Sequence, residues 1–263
     1  MTIESLIEDV VGEIKTVPGI KAIVLGGSRA RGTNHPASDI DLGIYYDSHS
    51  PLNVKELSKV AEKLDDEHRA DLVTEIGGWG PWINGGGWLH IQSMPVDFLY
   101  RDLNKVDDVI NSCLDGTVEI FYQPGHPYGF ISSIYLGEMA ICKPLWDPEG
   151  IVARFKGRVL PYPTALQRAL IQKFRWEMDF SIGIAQKSAA KSDVAYVAGC
   201  CFRSAMCMLQ VLFALNQEHW LNEKGAVDIA DNFKLKPDNF RERVKEVFAS
   251  LATSPESIGA PIM

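Results

Sequence analysis

The chain has 263 residues, of which 46% are hydrophobic and 23% charged, and these values suit one large or two small domains with an ordinary hydrophobic core. The formal net charge of −8 argues against sequence-independent binding of nucleic acid, because such binding places lysine and arginine at the phosphates. Residues 1–150 carry 11 Lys+Arg against 23 Asp+Glu, whereas residues 151–263 carry 15 against 11. The acidic half either attracts a cationic acceptor or is an ordinary solvated surface.

Five cysteines, with an adjacent pair at 200–201, show no CxxC motif and no Cys/His spacing typical of zinc. Reduced thiols in the cytoplasm are the simplest interpretation. Residues 1–5 lack a basic segment, so no signal peptide is expected. The apolar run Val194–Leu215 is long enough to span a membrane, but Arg203 lies within it and no basic cluster flanks it. We therefore expect a buried helix and no membrane partner.

The first part of the chain alternates helical and strand patterns. Residues 2–15 have apolar side chains at helical spacing and end at a Pro-Gly pair, which predicts an amphipathic helix. Residues 77–87 are rich in glycine and tryptophan and predict a hairpin or a mobile loop. The same criteria predict further helices over 30–33, 52–68 and 103–114, and strands over 21–25, 39–46, 71–76, 88–100 and 117–122.

Residues 124–148 fit neither pattern well, and the turn-like stretch 144–150 marks the predicted domain boundary. We predict one domain over 1–150 and a helical domain over 151–263, with helices near 165–187, 194–216 and 238–252. The predicted fold class is α+β, a mixed sheet flanked by helices and followed by a helical bundle.

One short window carries the clearest chemical signal. The apolar residues 23–25 predict a buried strand that stops at Gly26, Gly27 and Ser28, small residues that let backbone N–H groups approach a ligand closely. Asp39 and Asp41 follow, two residues apart on the next predicted strand, so both carboxylates leave the same face of a sheet. Paired carboxylates beside such a turn are what a Mg²⁺–nucleotide site requires.

Residues 26–44 read GGSRARGTNHPASDIDLGI. A Gly-Ser pair, a spacer of ten residues and Asp-x-Asp resembles the DNA polymerase β-like nucleotidyltransferase superfamily. The sequence of this segment looks like that of the small-molecule and minimal branch of the superfamily, which includes aminoglycoside and lincosamide adenylyltransferases. The close match covers residues 25–44 and extends loosely through Asp97. It is fairly specific, because three features coincide in one window.

The resemblance implies roles for three carboxylates. Asp39 and Asp41 would bind two Mg²⁺ ions, and Asp97 would complete the set from a neighbouring strand, which makes all three catalytic and metal-binding. Structural alternatives remain for two of these residues. Asp39 suits a turn or a cap, and Asp97, if buried on its apolar strand, needs a partner because an unpaired buried charge is very costly.

The resemblance also implies a donor site for ATP or another nucleoside triphosphate. Gly27 and Ser28 would hold the β- and γ-phosphates, although Ser28 also suits a helix N-cap. Arg31, flanked by Arg29, would neutralise the triphosphate, and Lys224 would reach it from the helical domain. A surface ion pair for Arg31 and a solvated loop position for Lys224 are the alternatives.

The acceptor hydroxyl must lose a proton, and a nearby carboxylate is the expected general base. Asp97 and Glu138 are the first candidates, followed by Glu75 and Glu119. Trp79, Trp82 and Trp88 either stack on an acceptor or a base, or pack within a hairpin.

Other nucleotide and hydrolase motifs do not fit. Gly27 and Gly32 have Walker-like spacing, but Thr33 and Asn34 stand where Lys-Ser/Thr is required. No GxGxxG follows a predicted strand, and the chain contains neither HExxH nor GxSxG.

The resemblance therefore implies a Mg²⁺-dependent nucleotidyltransferase. It would transfer a nucleoside monophosphate, with AMP from ATP as the first expectation, to a hydroxyl of a small molecule such as an antibiotic. The alternative is an antitoxin-like nucleotidyltransferase module that binds or AMP-modifies a partner protein. The acceptor and the oligomeric state stay open.

Overall fold

The computed structural model describes residues 2–189 and 193–251. Within them the chain forms two compact units. The first contains residues 2–111, Tyr122–Gly125 and Tyr135–Pro161, and the second contains the remaining described residues. The units therefore interleave along the chain between residues 111 and 162. The division into domains at residue 150 stays a prediction.

A five-stranded mixed sheet forms the centre of the first unit, in the order β3-β4-β2-β1-β7. The pair β2–β4 is parallel and the other neighbours are antiparallel. The predicted α+β class, a mixed sheet with flanking helices followed by C-terminal helices, is confirmed. The strands of this sheet are β1 (Ile20–Leu25), β2 (Ile40–Tyr46), β3 (Gly86–Ile91), β4 (Met94–Asp102) and β7 (Lys143–Trp146).

Six helices belong wholly or partly to the first unit. The two that cover the sheet have side-chain caps: Thr2 accepts a hydrogen bond from the Ser5 amide, and Asn53 accepts one from the Glu56 amide. The helices are α1 (Ile3–Ile14), α2 (Gly27–Arg31), α3 (Val54–Leu64), α4 (Leu103–Leu114), α5 (Ile134–Ile141) and α6 (Ile151–Val159).

Alternation along β2 and β4 separates the two faces of the sheet. On one face, apolar side chains of both strands pack with those of α1 and α3 to form the core. Phe98, Leu42 and Ile44 are among its completely buried members. The opposite face carries Asp41, Asp97 and the residues that alternate with the core positions.

The second unit is mainly helical and includes the short pair β5 (Ile120–Phe121) and β6 (Phe130–Ile131). The helices of the second unit are α7 (Thr164–Ala189), α8 (Val194–Leu215), α9 (Ala226–Ala230) and α10 (Phe240–Leu251). The helix α8 is long and apolar enough to cross a membrane, but most of its length is buried within the unit, as expected for a core helix. The three predicted C-terminal helices are confirmed, and the predicted end at residue 252 lies outside the described residues.

Two strand predictions were wrong in detail. Residues 71–76 form only an isolated bridge, Val73 to Gly87. Asp71, at the start of this segment, has a positive φ of 56° and is not part of an extended strand. Residues 88–100 are not one strand. They turn back between β3 and β4, where the amides at 92 and 93 both donate to Asp66 at 2.7 Å.

Candidate active site

Four neighbouring strands bring the end of β1, two carboxylates and an indole into one row. The Gly26 amide donates to the Asp41 carbonyl at 2.8 Å, which continues the β1–β2 ladder into the turn. Asp41 is the register partner of Asp97 on β4, and Asp97 is the partner of Trp88 on β3. Since register partners project from the same face of a sheet, the row lies on the face opposite the hydrophobic core.

The turn after β1 requires glycine for two reasons. Gly27 has φ of +58°, a conformation in which other residues are strained. A Cβ at Gly27 would lie 1.8 Å from Oδ2 of Asp41, so the Asp41 carboxylate lies directly against the turn. Ser28 follows in the first turn of α2, where backbone N–H groups have no acceptor within the helix. The backbone amides of the turn, the Ser28 hydroxyl and the Asp41 carboxylate therefore lie close together at the end of β1.

Arg29 has a role that the sequence did not reveal. Its guanidinium is buried, and Nε donates to the carbonyls of Ser38 at 3.1 Å and Asp39 at 2.9 Å. These bonds hold the backbone that leads into β2, and with it the position of Asp39. The only sequence signal was its place inside the Gly-Ser window. Arg31 is the last residue of α2 and is half-buried, and its contact with a triphosphate stays a prediction.

The carboxylates are chemically suited to a magnesium nucleotide. Asp39, Asp41 and Asp97 are each partly exposed. Among residues 2–189 and 193–251, no three His, Cys, Asp or Glu side chains converge into a complete metal cluster. Mg²⁺ commonly binds through one or two carboxylates and takes its other ligands from water and substrate phosphates. The Asp41–Asp97 pair beside the Gly27 turn fits that pattern, and metal binding stays a prediction.

Glu138 is committed to an ion pair. Both of its carboxylate oxygens accept hydrogen bonds from Arg101, at 2.7 and 2.5 Å, and Arg101 is almost completely buried. Burial disfavours the guanidinium charge, but Glu138 outweighs it and raises the pKa of Arg101 above its usual range. Arg101 shares a strand face with Asp97 but lies four residues further along, about 13 Å at the usual rise per residue. The general-base role of Glu138 stays a prediction.

The remaining predicted residues lie outside this row. Glu75 is exposed in the loop before β3, and Glu119 is exposed in the second unit. Lys224 is exposed in a turn before α9, also in the second unit. Their predicted contributions to catalysis or phosphate binding remain predictions.

The three tryptophans of the loop region have different environments. Trp82 is buried, lies 5.7 Å from the Tyr135 ring and carries the Lys105 ammonium over its own ring. It therefore belongs to the packing of the loop. Trp79 stacks on Trp88 with ring centroids 4.5 Å apart, and Trp88 remains 62% exposed.

Comparison with known proteins is consistent with this geometry. Residues 6–79 match the family model described as "Nucleotidyltransferase domain". No curated protein matches the chain significantly. Among solved structures, the crystal structure of a nucleotidyltransferase-like protein from Exiguobacterium sibiricum 255-15 has a TM-score of 0.42 and 7% identity, and the alignment covers 97% of this chain and 75% of that one.

The similarity to this family is a sequence match over residues 6–79. The matched segment contains β1, the Gly27–Ser28 turn and both carboxylates of the Asp-x-Asp motif. Asp97 lies beyond the matched residues, and β-sheet pairing brings it to Asp41. Residues 6–79 are therefore similar in sequence to a nucleotidyltransferase domain.

Proposed function

We propose that the protein is a Mg²⁺-dependent nucleotidyltransferase that transfers a nucleoside monophosphate, AMP from ATP, to a hydroxyl of a small molecule. The observation that carries this proposal is the register pair Asp41–Asp97 beside the Gly27 turn. The pair joins a residue inside the matched family segment to one outside it, and both side chains are partly exposed.

The reaction follows from nucleotidyl transfer. The acceptor oxygen forms a bond to the α-phosphorus of the nucleotide, the bond from that phosphorus to the bridging oxygen breaks, and pyrophosphate leaves. The acceptor proton passes to a carboxylate, for which Asp97 is our candidate, and then to solvent. Bound Mg²⁺ would supply charge neutralisation and polarisation of the phosphate oxygens.

The chain's own groups bind and orient the donor. The Gly27 and Ser28 amides and the Ser28 hydroxyl would bind the β- and γ-phosphates, which glycine makes accessible. Asp39, Asp41 and Asp97 would hold the metal, with Arg29 holding the backbone at Asp39 through its carbonyl. Arg31 would add positive charge to the triphosphate site.

Calorimetric titration of ATP, GTP, CTP and UTP, each with and without Mg²⁺, tests the donor site. We expect Mg²⁺-dependent binding of ATP that is lost when Asp39 and Asp41 are both changed to alanine. The matched control changes Glu8 and Asp9, two exposed acids on α1, to alanine. It removes the same charge and should leave binding intact.

Acceptors are then screened by pyrophosphate release, beginning with hydroxyl-bearing antibiotics. Mg²⁺-ATP-dependent turnover with one compound would establish the activity. If no triphosphate binds, the enzyme proposal is wrong and an interaction module that binds a partner protein becomes the better explanation.

A further inference from the structure

The stacked indoles Trp79 and Trp88 form an exposed aromatic surface beside the candidate carboxylates, and we call this pair the indole platform. Their planes are inclined by only 23°. The absence of a side chain at Gly86 leaves room for the Trp79 ring, because a Cβ at Gly86 would lie 2.8 Å from that ring and 1.8 Å from the Phe98 carbonyl oxygen. A single exposed apolar side chain is common, whereas contiguous exposed apolar surface marks binding sites more often. The paired indoles are therefore a candidate binding surface.

The loop that carries Trp79 is held in place. The buried Gln123 side chain donates to the Trp79 carbonyl at 2.6 Å and accepts from the Trp82 amide at 3.3 Å. The Gly86 amide donates to the Thr74 hydroxyl at 3.1 Å. The platform is thus built on anchored backbone, which limits the entropy lost when a ligand stacks on it.

The order of these groups across the sheet indicates which substrate the indole platform contacts. Across the sheet, the Gly27 turn is followed by Asp41, then Asp97, then Trp88. In phosphoryl transfer the attacking and leaving oxygens lie roughly in line. If the triphosphate end occupies the Gly27 turn, pyrophosphate leaves towards β1 and the acceptor attacks from the β3 side. Trp88 occupies that side.

The charge near Trp88 indicates which kind of ligand the indole platform would bind. Trp88 lies directly opposite Asp97, so a carboxylate is its neighbour across the strand pair. A tryptophan face attracts cations more strongly than other aromatic rings do, and quaternary ammonium ligands are recognised in this way. An aromatic face with a carboxylate as its neighbour therefore favours a cationic occupant over a neutral one.

We propose that the indole platform is the acceptor subsite and that it binds the cationic group of an amine-bearing acceptor on the exposed face of Trp88. This inference rests on the proposed function for the direction of attack. The binding of a cation to the platform can nevertheless be measured without turnover, so the two ideas can fail separately.

The first probe is choline, a small quaternary ammonium compound with a hydroxyl group, and its neutral carbon isostere dimethylbutanol is the matched control. Saturation-transfer NMR titrations would be run with and without Mg²⁺ and α,β-methylene-ATP. We expect millimolar binding of choline and weaker binding of the neutral compound. Changing Trp88 to leucine should weaken choline binding about 5- to 10-fold, and phenylalanine should restore part of it.

Trp176 offers a control variant in the second unit. It is 60% exposed and packs against Phe180 at a tilt of 54° with ring centroids 5.6 Å apart, so W176L removes an equally exposed indole that also has an aromatic neighbour. It should leave choline binding unchanged. Thermal unfolding would confirm that both leucine variants are folded.

Several results would overturn the proposal. These are an absence of choline binding, equal binding of the neutral isostere, or an unchanged affinity in W88L. Weaker nucleotide binding in W88L would assign Trp88 to the nucleobase instead of the acceptor. If nucleotide binding is absent while choline binding depends on Trp88, the proposed function fails and the cation site remains.

Discussion

The two faces of the central sheet use the same strands for different purposes. On β2 and β4, the core face presents Leu42 and Phe98, both completely buried among apolar neighbours. The other face presents Asp41 and Asp97, which lie at the adjacent positions of the same strands and are partly exposed. One face stabilises the fold by removing apolar surface from water. The other brings the carboxylates of Asp41 and Asp97 to neighbouring positions, an arrangement that favours a bound cation because like charges disfavour each other's ionised form.

The difference shows that stability and chemistry can be perturbed separately at positions one residue apart. Period-two alternation places neighbouring residues on opposite faces. A substitution on the core face should therefore change unfolding, and one on the carboxylate face should change binding and turnover. The following predictions test that separation, beginning with the largest effect.

Asp41→Asn and Leu42→Ala form the sharpest pair. Asp41→Asn should reduce Mg²⁺-dependent turnover by more than about 100-fold, since a direct ligand matters more than the outer partners that cost 10- to 100-fold. Leu42→Ala should lower the free energy of unfolding by about 2–5 kcal/mol and keep turnover per folded molecule. Denaturant titration and initial rates would measure both. Loss of stability in Asp41→Asn equal to that in Leu42→Ala would refute the separation.

Glu138→Ala tests an ion pair that belongs to the carboxylate face yet serves stability. It leaves the buried Arg101 guanidinium without its partner and should cost about 3–5 kcal/mol of unfolding free energy. Replacing both residues by methionine should recover most of that loss, because the uncompensated charge is gone. A double variant no more stable than Glu138→Ala would contradict this account.

Arg29→Met should weaken metal binding while preserving most of the fold. The lost hydrogen bonds to the Ser38 and Asp39 carbonyls free the backbone before β2, and we expect about a 10- to 100-fold weaker Mn²⁺ affinity. Electron paramagnetic resonance titration of Mn²⁺ would measure it, with Arg29→Lys expected to retain part of the affinity. Unchanged Mn²⁺ binding in Arg29→Met would exclude this positioning role.

Asp65→Asn should have the smallest effect and a defined pH dependence. Hydrogen bonds from Arg69 outweigh burial and, with the His90 amide, hold the pKa of Asp65 well below its usual range. A depressed pKa in the folded state contributes stability above the unfolded value and loses it as the pH falls. The variant should lose about 1–3 kcal/mol at neutral pH.

The stability gap between Asp65→Asn and the parent protein should shrink as the pH drops below about 4, where the unfolded carboxyl protonates. Denaturant midpoints measured from pH 7 to 3 would follow it. A gap that does not change with pH would show that the stabilisation does not depend on the charge of Asp65.

Much of the fold was predictable where the signal is local. The helices α1, α3 and α4 have apolar stripes and turn residues that specify them within a few residues. The strand predicted over residues 71–76 was wrong, because an apolar and β-branched run resembles a strand whether or not a neighbouring strand is available to pair with it. The positive φ of Asp71 belongs to a turn that composition alone does not reveal.

Local spacing predicted that the turn at Gly27 and Ser28 lies beside the Asp-x-Asp segment, and Asp41 does lie against Gly27. The roles of Asp39 and Asp41 in binding stay predictions. Long-range pairing decided the rest. Sheet register placed Asp97 opposite Asp41 and left Trp88 exposed beside it. Packing buried Trp82. Such contacts depend on which distant segments meet, and the chemical character of a residue does not contain that information.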